Sequence, residues 1–431
     1  MTNVCTTSSA QARADRPAQP PHVLAIIVGG FFGLRAALTM VLVRLFSMPP
    51  QLGAAVTLVT GLCLVSVALI DLMRPHNADH SGSGPSTPLL QWVALYLAFT
   101  GGSLIWGGAY SLLASLGYWT GTAIDVGLVL LLLRRSEVPQ VSASIMRGFI
   151  FGVCVVAIIV WLMPAQYDLR LGDEDYLNAN TIANLCAFGF FFSHTLRRTW
   201  GGPWRTVSFF LAITLVRSLS KSGIAAFAVS ATYLLIQDRL LSRKTKFALT
   251  CFALIVVLAF WGLFEAYYDV YTTAGNQAQT LTGRTAIWIY VINSLPEHPW
   301  IGHGFDSMWK TVPSFGTFQA RHAENELLQQ LYAYGLAGAV MLVGVYGSFF
   351  GSIRKSGNHP VSVVLASMLL FTLVRGLAEA EPFDLLMPLW AIVLLGSVAH
   401  WADQSRQFRC GTASGVGVTS PSPYTVGVTA S

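Results

Sequence analysis

The stretch KFALTCFALIVVLAFWGLF, from Lys246 to Phe264, decides the fold class. It leaves a basic cluster, carries no charge after Lys246, and matches the run of about 20 apolar residues that a helix needs to cross a bilayer. Val126–Leu133 and Phe149–Met163 lie inside further blocks of the same kind. Across the 431 residues, 54% are hydrophobic and 11% charged, and the mean hydropathy is +0.57. Soluble domains carry about a quarter charged residues. A large soluble core would need charged amphipathic helices around it, and the sequence contains none.

Working outward from that block, the chain reads as an all-α, polytopic membrane protein with about 12 transmembrane helices and one large loop between spans 9 and 10. The expected spans are 23–46, 52–72, 89–108, 112–133, 147–164, 181–197, 204–219, 222–238, 246–264, 326–350, 361–378 and 384–401. Residues 1–21 are polar and Pro/Ala-rich, and 402–431 become Gly/Ser/Thr/Pro-rich, so both are expected as disordered tails around a membrane domain at 22–401. Arg74, Arg134/Arg135, Arg197/Arg198/Arg205, the cluster Arg239/Arg243/Lys244/Lys246, Arg354/Lys355 and Arg406/Arg409 fall in alternate loops, and Arg13 and Arg16 in the first tail. The positive-inside rule then puts both termini in the cytoplasm. The opposite loops are short or acidic, as in Asp173-Glu174-Asp175 and the segment with Glu379, Glu381 and Asp384.

The connection 265–324 stands apart on the non-cytoplasmic side. Long loops within compact folds are functional or disordered, and this one is not of low complexity. Ile287, Trp288, Val291 and Leu295 recur at helical spacing between Gly283 and the Pro296–Pro299 pair, which predicts a short helix at the membrane interface. The six cysteines are scattered with no CxxC spacing and read as packing residues, not disulfides or metal ligands. The net charge of +6 is explained by the basic loops, with no aromatic-interleaved patch for nucleic acid. Gly29/Gly33 and Gly347/Gly351 have small-xxx-small spacing and predict helix-packing seams.

The informative residues are cations that break the positive-inside pattern, because a cation at membrane depth needs a partner or water. Arg35, Arg44, Arg170 and Lys310 read as snorkelling or locally paired, and Arg375 pairs with Glu379 or Glu381 or is functional. Arg217 and Lys221 bracket the outer turn Arg217-Ser-Leu-Ser-Lys-Ser-Gly223, and Arg284 and Arg321 lie in the large loop. Together these four make an anion site whose natural guest is a phosphate or diphosphate. His322 follows Arg321, in Arg321-His-Ala-Glu-Asn-Glu326. His298 and His303 compete with it, but the Pro296–Gly304 run reads as turn chemistry. Asn178, Asn180 and Asn184 either bind sugar hydroxyls or cap and pack helices.

In this order these segments resemble the O-antigen ligase and Wzy-type polysaccharide polymerase superfamily, and most of all its exopolysaccharide polymerase branch. The resemblance is carried by Asn178-Ala-Asn-Thr-Ile-Ala183, Ser220-Lys-Ser-Gly223, Thr282-Gly-Arg284 with Trp288, Pro299-Trp-Ile-Gly-His-Gly304, and His322-Ala-Glu-Asn325 with Tyr334-Gly-Leu-Ala-Gly338. It covers residues 178–340, and elsewhere only the topology matches. Lys221 stands where that family usually has Arg, which keeps the charge and loses the bidentate fork.

The resemblance implies a multi-pass protein of the bacterial inner membrane whose long loop is periplasmic. Its expected reaction is inverting transfer of a glycan from a polyprenyl-diphosphate donor to an acceptor sugar hydroxyl. The expected catalytic residues are His322 as base and Glu324, which orients or replaces it. Arg217, Lys221, Arg284, Arg321 and Asn180 are the expected substrate-binding residues. No metal, nucleotide or other cofactor is expected. The partners are the lipid-linked donor, a sugar acceptor and membrane lipids, with a chain-length regulator and export machinery as further candidates, and no nucleic acid. A ligase with the same donor and a lipid-linked sugar transporter are the alternatives.

Overall fold

A computed structural model describes residues 22–73, 86–109, 111–164, 166, 169–173, 176–237, 242–244, 246, 247, 251, 262, 284–313, 320–357 and 359–414. The described residues form helices joined by turns, with no strand among them. In chain order these are α1 (Val23–Arg44), α2 (Pro50–Met73), α3 (Thr87–Gly102), α4 (Leu112–Arg135), α5 (Val138–Leu162), α6 (Ala179–Thr199), α7 (Trp204–Arg217) and α8 (Lys221–Gln237). After the large loop's α9 (Arg284–Ser294) and α10 (Met308–Thr311) come α11 (Glu326–Ser356), α12 (Pro360–Arg375) and α13 (Leu389–Ser414).

Five described helices are long and apolar enough to cross a membrane: Val23–Arg44, Gln51–Met73, Leu112–Arg135, Val138–Leu162 and Glu326–Ser356. Their outer faces are apolar too. On α2, Leu52, Val59, Leu62, Val67, Leu69 and Ile70 are all exposed, an arrangement that a hydrocarbon solvent tolerates and water does not. The chain is a multi-pass membrane protein. The expected span 246–264 lies largely outside the described residues, as do the tail 1–21 and residues 415–431.

Several expectations need correcting. The third span stops at Gly102, not 108, because Gly101 and Gly102 end the helix and the chain turns beneath the large loop, with Gly107 N donating to the Ser103 carbonyl. Helix α5 starts at Val138, nine residues before the expected 147, with Pro139 in its first turn, where its missing N–H costs no hydrogen bond. Helix α13 starts at Leu389 and runs through the start of the expected tail to Ser414. Gln404 bonds His400 and Gln407 bonds Asp403 one turn apart, polar pairs that extend a helix past its apolar part.

The two glycine seams part company. Helices α1 and α5 form the most extensive helix pair, and a Cβ on Gly29 or on Gly148 would run into the backbone carbonyl of Ile145 or Ile26. Gly347 and Gly351 meet nothing within 4 Å, so the predicted second seam is not formed among the described residues. Inside the bundle, Arg35 is paired with the buried Asp125, as a charge at that depth requires, while at the exposed end of α1 Arg44 Nε reaches Asp173 Oδ2 at 2.7 Å.

The large loop is fixed to α11 through a break in that helix. Gly335 has φ 61° and ψ −153°, outside the helical region. The break frees the carbonyls of Tyr332 and Ala333, which accept His303 N at 2.9 Å and Gly304 N at 2.7 Å. It also frees the N–H groups of Leu336 and Ala337, which donate to the carbonyls of Pro299 and Trp300 at 2.8 and 3.1 Å. Pro299–Gly304 and Tyr334–Gly338 are thus two halves of one backbone joint. His303 belongs to it, stacked on Tyr332 with ring centroids 4.2 Å apart, which bears out the turn reading of that run.

Candidate functional site

Helix α9 presents Arg284 and Trp288 one turn apart, on one face. The Trp288 indole donates to the Ala323 carbonyl at 2.9 Å, and the Gln329 side chain accepts Ala323 N at 2.8 Å. Asn325 caps α11 by accepting Leu328 N, while its amide nitrogen donates to the Leu377 carbonyl at 3.0 Å. The segment 322–325 is therefore clamped at Ala323 and Asn325, and the residues between and beside them, His322 and Glu324, are left for chemistry. Glu324 is held at φ 53°. Leu169 and Leu219, also at positive φ, lie on the neighbouring turns. Non-glycine residues in this region cost about 1–3 kcal/mol each and concentrate at functional sites.

Arg284 faces Glu324 directly: Nε donates to Oε2 at 3.1 Å and Nη2 lies 3.0 Å from the same oxygen. Nη2 is also 3.9 Å from Glu379 Oε2. His322 Nδ1 accepts the Glu324 backbone N–H at 3.4 Å and lies 3.8 Å from Glu324 Oε1. Nδ1 thus faces the carboxylate side of the ring.

Asn180 is the hub on the opposite side. Asn178 caps α6, accepting Thr181 N at 2.9 Å, so Asn180 falls in the first turn, facing the site. Its Nδ2 donates to Glu379 Oε2 at 2.6 Å, and its Oδ1 accepts Ser220 Oγ at 2.7 Å and Arg170 Nη2 at 3.1 Å. Its backbone carbonyl accepts Arg375 Nη2 at 3.2 Å. Ser220 also accepts Gly223 N, capping α8 and placing Lys221 at the helix start. Lys221 lies close enough to Arg170 and Arg284 to feel both charges.

The structure brings together His322, Glu324, Arg284 and Asn180, with Lys221 at the edge. Two expected members stand apart. Arg321 is exposed, and its guanidinium stacks over the Trp309 ring at 4.5 Å, since adjacent residues in an irregular segment point different ways. Arg217 donates through Nη1 to the Leu169 carbonyl at 2.9 Å and so braces the loop that carries Arg170. Three members of the group are not among the expected site residues: Arg170, read as locally paired, and Arg375 with Glu379, read as an ion pair or a functional cation. The Arg375–Glu379 pairing is present, with i,i+4 spacing at a helix end putting a buried cation 4.0 Å from a buried acid.

Burial, then the charge of Glu324, push the Glu379 carboxyl up to about 7 against the pull of Arg375, His322 and Arg284. His322, Glu324 and Glu379 also offer ligand atoms within 4.8 Å of one another, a spacing that suits a metal ion. Arg284 already bridges both carboxylates, and Arg170, Lys221 and Arg375 lie around them. Four cations around two carboxylates make a site whose balance favours an added anion over an added cation.

Residues 206–343 match the family described as O-antigen ligase. Over 143 residues the chain is 32% identical to an O-antigen ligase of Pseudomonas aeruginosa, a match that covers 33% of the chain and 34% of that protein. The chain thus spans about a third of the length of this relative. It is 23% identical over 330 residues to the exopolysaccharide production protein ExoQ of Rhizobium meliloti, covering 69% of the chain and 73% of the relative. Arg217, Lys221, Arg284, Arg321, His322 and Glu324 lie inside the matched segment. Asn180 and Glu379 lie outside it.

Proposed function

We propose that this chain, whose residues 206–343 match the family described as O-antigen ligase, is a glycosyltransferase that joins polyprenyl-diphosphate-linked oligosaccharide repeats at the periplasmic face of the bacterial inner membrane. The observation that carries the reading is the junction of His322 and Glu324 with Arg284 and Asn180 at one end of the bundle, beneath an anchored loop. A diphosphate leaving group needs charge stabilisation more than a proton, and Arg284, Lys221 and Arg170 supply it in place. The acceptor hydroxyl needs a base that works near neutrality, which is the province of histidine.

In the transfer, His322 takes the hydroxyl proton as the acceptor oxygen bonds to the anomeric carbon, and the bond from that carbon to the diphosphate breaks with inversion. The electron pair leaves on the diphosphate. The protonated imidazole presents an N–H at Nδ1, where Glu324 Oε1, 3.8 Å away, comes into charge-assisted bonding range by a shift of about 1 Å. Arg217 braces the site through Leu169, and Arg321 sits on the rim, where it meets the outer sugars.

Polymerase is the first reading, because the exopolysaccharide relative matches over the greater part of both chains. Ligation of the same donor to another acceptor is the second, favoured by the family description and the Pseudomonas relative. The test is purified protein with a lipid-diphosphate repeat and no nucleotide or ion gradient. Elongated product supports polymerase, and transfer only to an added second acceptor supports ligase. Movement of intact donor across vesicles without elongation contradicts both and points to a transporter.

A further inference from the structure

We propose that Glu379 is a positioning residue of this site, one that receives the proton taken up at His322 and, by becoming neutral, releases Arg284 to the diphosphate. The proposal rests on the glycosyl-transfer reading above and adds to it a residue outside the matched family segment. Its basis is the wiring of one carboxylate to every part of the site.

Glu379 Oε2 accepts Asn180 Nδ2 at 2.6 Å, lies 3.9 Å from Arg284 Nη2 and 4.0 Å from Arg375 Nη2, and its carboxylate is within 4.8 Å of the ligand atoms of both His322 and Glu324. The residue is 4% exposed. The two carboxylates are not equivalent. Glu324 is bonded by Arg284 through two nitrogens of one guanidinium. The short bond of Glu379 comes from a neutral amide, and its two guanidinium neighbours stand at about 4 Å. Glu379 is the carboxylate without a close guanidinium bond and, in this proposal, takes the entering proton.

Groups face Glu379 from each element packed against it. Arg375 comes from the end of α12, Arg284 from α9, His322 and Glu324 from the segment before α11, and Asn180 from α6 with Arg170 and Ser220 behind its amide oxygen. Burial and Glu324 raise its pKa, and Arg375, His322 and Arg284 lower it. Arg375 itself is 1% exposed, with Nε and Nη1 lacking a hydrogen-bond partner among the described residues, and Glu379 and the Asn180 carbonyl are among the groups that hold this buried cation in place. The cycle balances. The acceptor O–H proton passes to His322, then to Glu379, whose carboxylate becomes a carboxylic acid, and finally to water when product leaves. One negative charge beside Arg284 disappears as negative charge develops on the leaving diphosphate.

The test combines two readouts on full-length purified protein. Infrared titration should show a protonated-carboxyl band that fades as pH rises through the neutral range and is missing in Glu379→Gln. Turnover of a lipid-diphosphate repeat by Glu379→Gln, which keeps an oxygen for Asn180 but cannot carry the proton, should fall by about tenfold to a hundredfold. Its pH profile should lose a limb, donor binding should stay close to wild type, and Glu379→Asp should recover part of the rate. A wild-type rate and profile in Glu379→Gln, or no carboxyl band assignable to this residue, would overturn the proposal. So would a Glu379→Gln protein that loses donor binding in proportion to rate, since that assigns Glu379 to binding alone. If wild-type protein itself transfers no glycan, the parent reading fails, and the infrared band still decides whether Glu379 titrates.

Discussion

Replacing Gly335 by alanine should uncouple the large loop from the bundle without touching a catalytic group. At φ 61° and ψ −153° the backbone occupies a region that is open to glycine and costs other residues about 1–3 kcal/mol. A Cβ there would lie 2.5 Å from the Trp300 carbonyl carbon, 2.6 Å from Ile301 N and 2.7 Å from the Pro299 carbonyl oxygen, all backbone atoms with no side-chain freedom to yield. The clash is relieved only by withdrawing 299–304, which gives up the four backbone hydrogen bonds of the joint, each worth about 0.5–1.5 kcal/mol net. Even with partial rehydration, a total loss of about 3 kcal/mol or more follows. Thermal unfolding in detergent should shift down by roughly 5 °C or more, and limited proteolysis should cut the large loop sooner. Transfer activity should fall with it, because α9 and segment 320–325 flank the joint. A Gly335→Ala protein with wild-type melting, loop protection and activity would refute the claim that the helix break seats the loop.

Three further outcomes follow from the same geometry. Reporter fusions at the exposed Lys310 and Ser242 should report opposite sides of the membrane, and a common side would remove the periplasmic placement of the site. Arg284→Ala should abolish polymer at normal protein level, with Lys restoring only part of it. Arg217→Ala should retain a measurable rate, because its bond goes to a loop carbonyl and not to the cluster; equal and complete loss in both would place Arg217 on the diphosphate. Asn180→Asp, which sets a second anion where Nδ2 now donates to Glu379, should lose activity more severely than Asn180→Ala, as measured by polymer formed per unit of folded protein.

The helical membrane architecture was legible because the bilayer writes it in long apolar runs, and the eleven expected spans other than 246–264 each fall on a described helix. Boundaries such as Gly102 and Val138 were not legible, since they depend on where the chain turns against other elements. Arg284, His322, Glu324 and Asn180 could be picked out as polar residues in unusual company. Glu379 was legible only as a partner of Arg375 at i,i+4 spacing; its place in the site was not, because that depends on α6, α9 and α12 converging. Arg321 shows the opposite error: a charge adjacent in sequence to His322 was assigned to the same site, and the backbone turned it onto Trp309 instead. Gly347 and Gly351 teach a similar lesson, for spacing alone cannot say whether a neighbouring helix is present.

The central claim is that His322 takes the acceptor proton during glycan transfer. The direct measurement is single-turnover transfer by purified His322→Ala protein from a lipid-diphosphate repeat, with donor binding measured separately on the same preparation. The account predicts donor binding near the wild-type value and a transfer rate lower by about a hundredfold or more, with His298→Ala and His303→Ala milder. Transfer by His322→Ala at the wild-type rate would contradict it and move the base to Glu324.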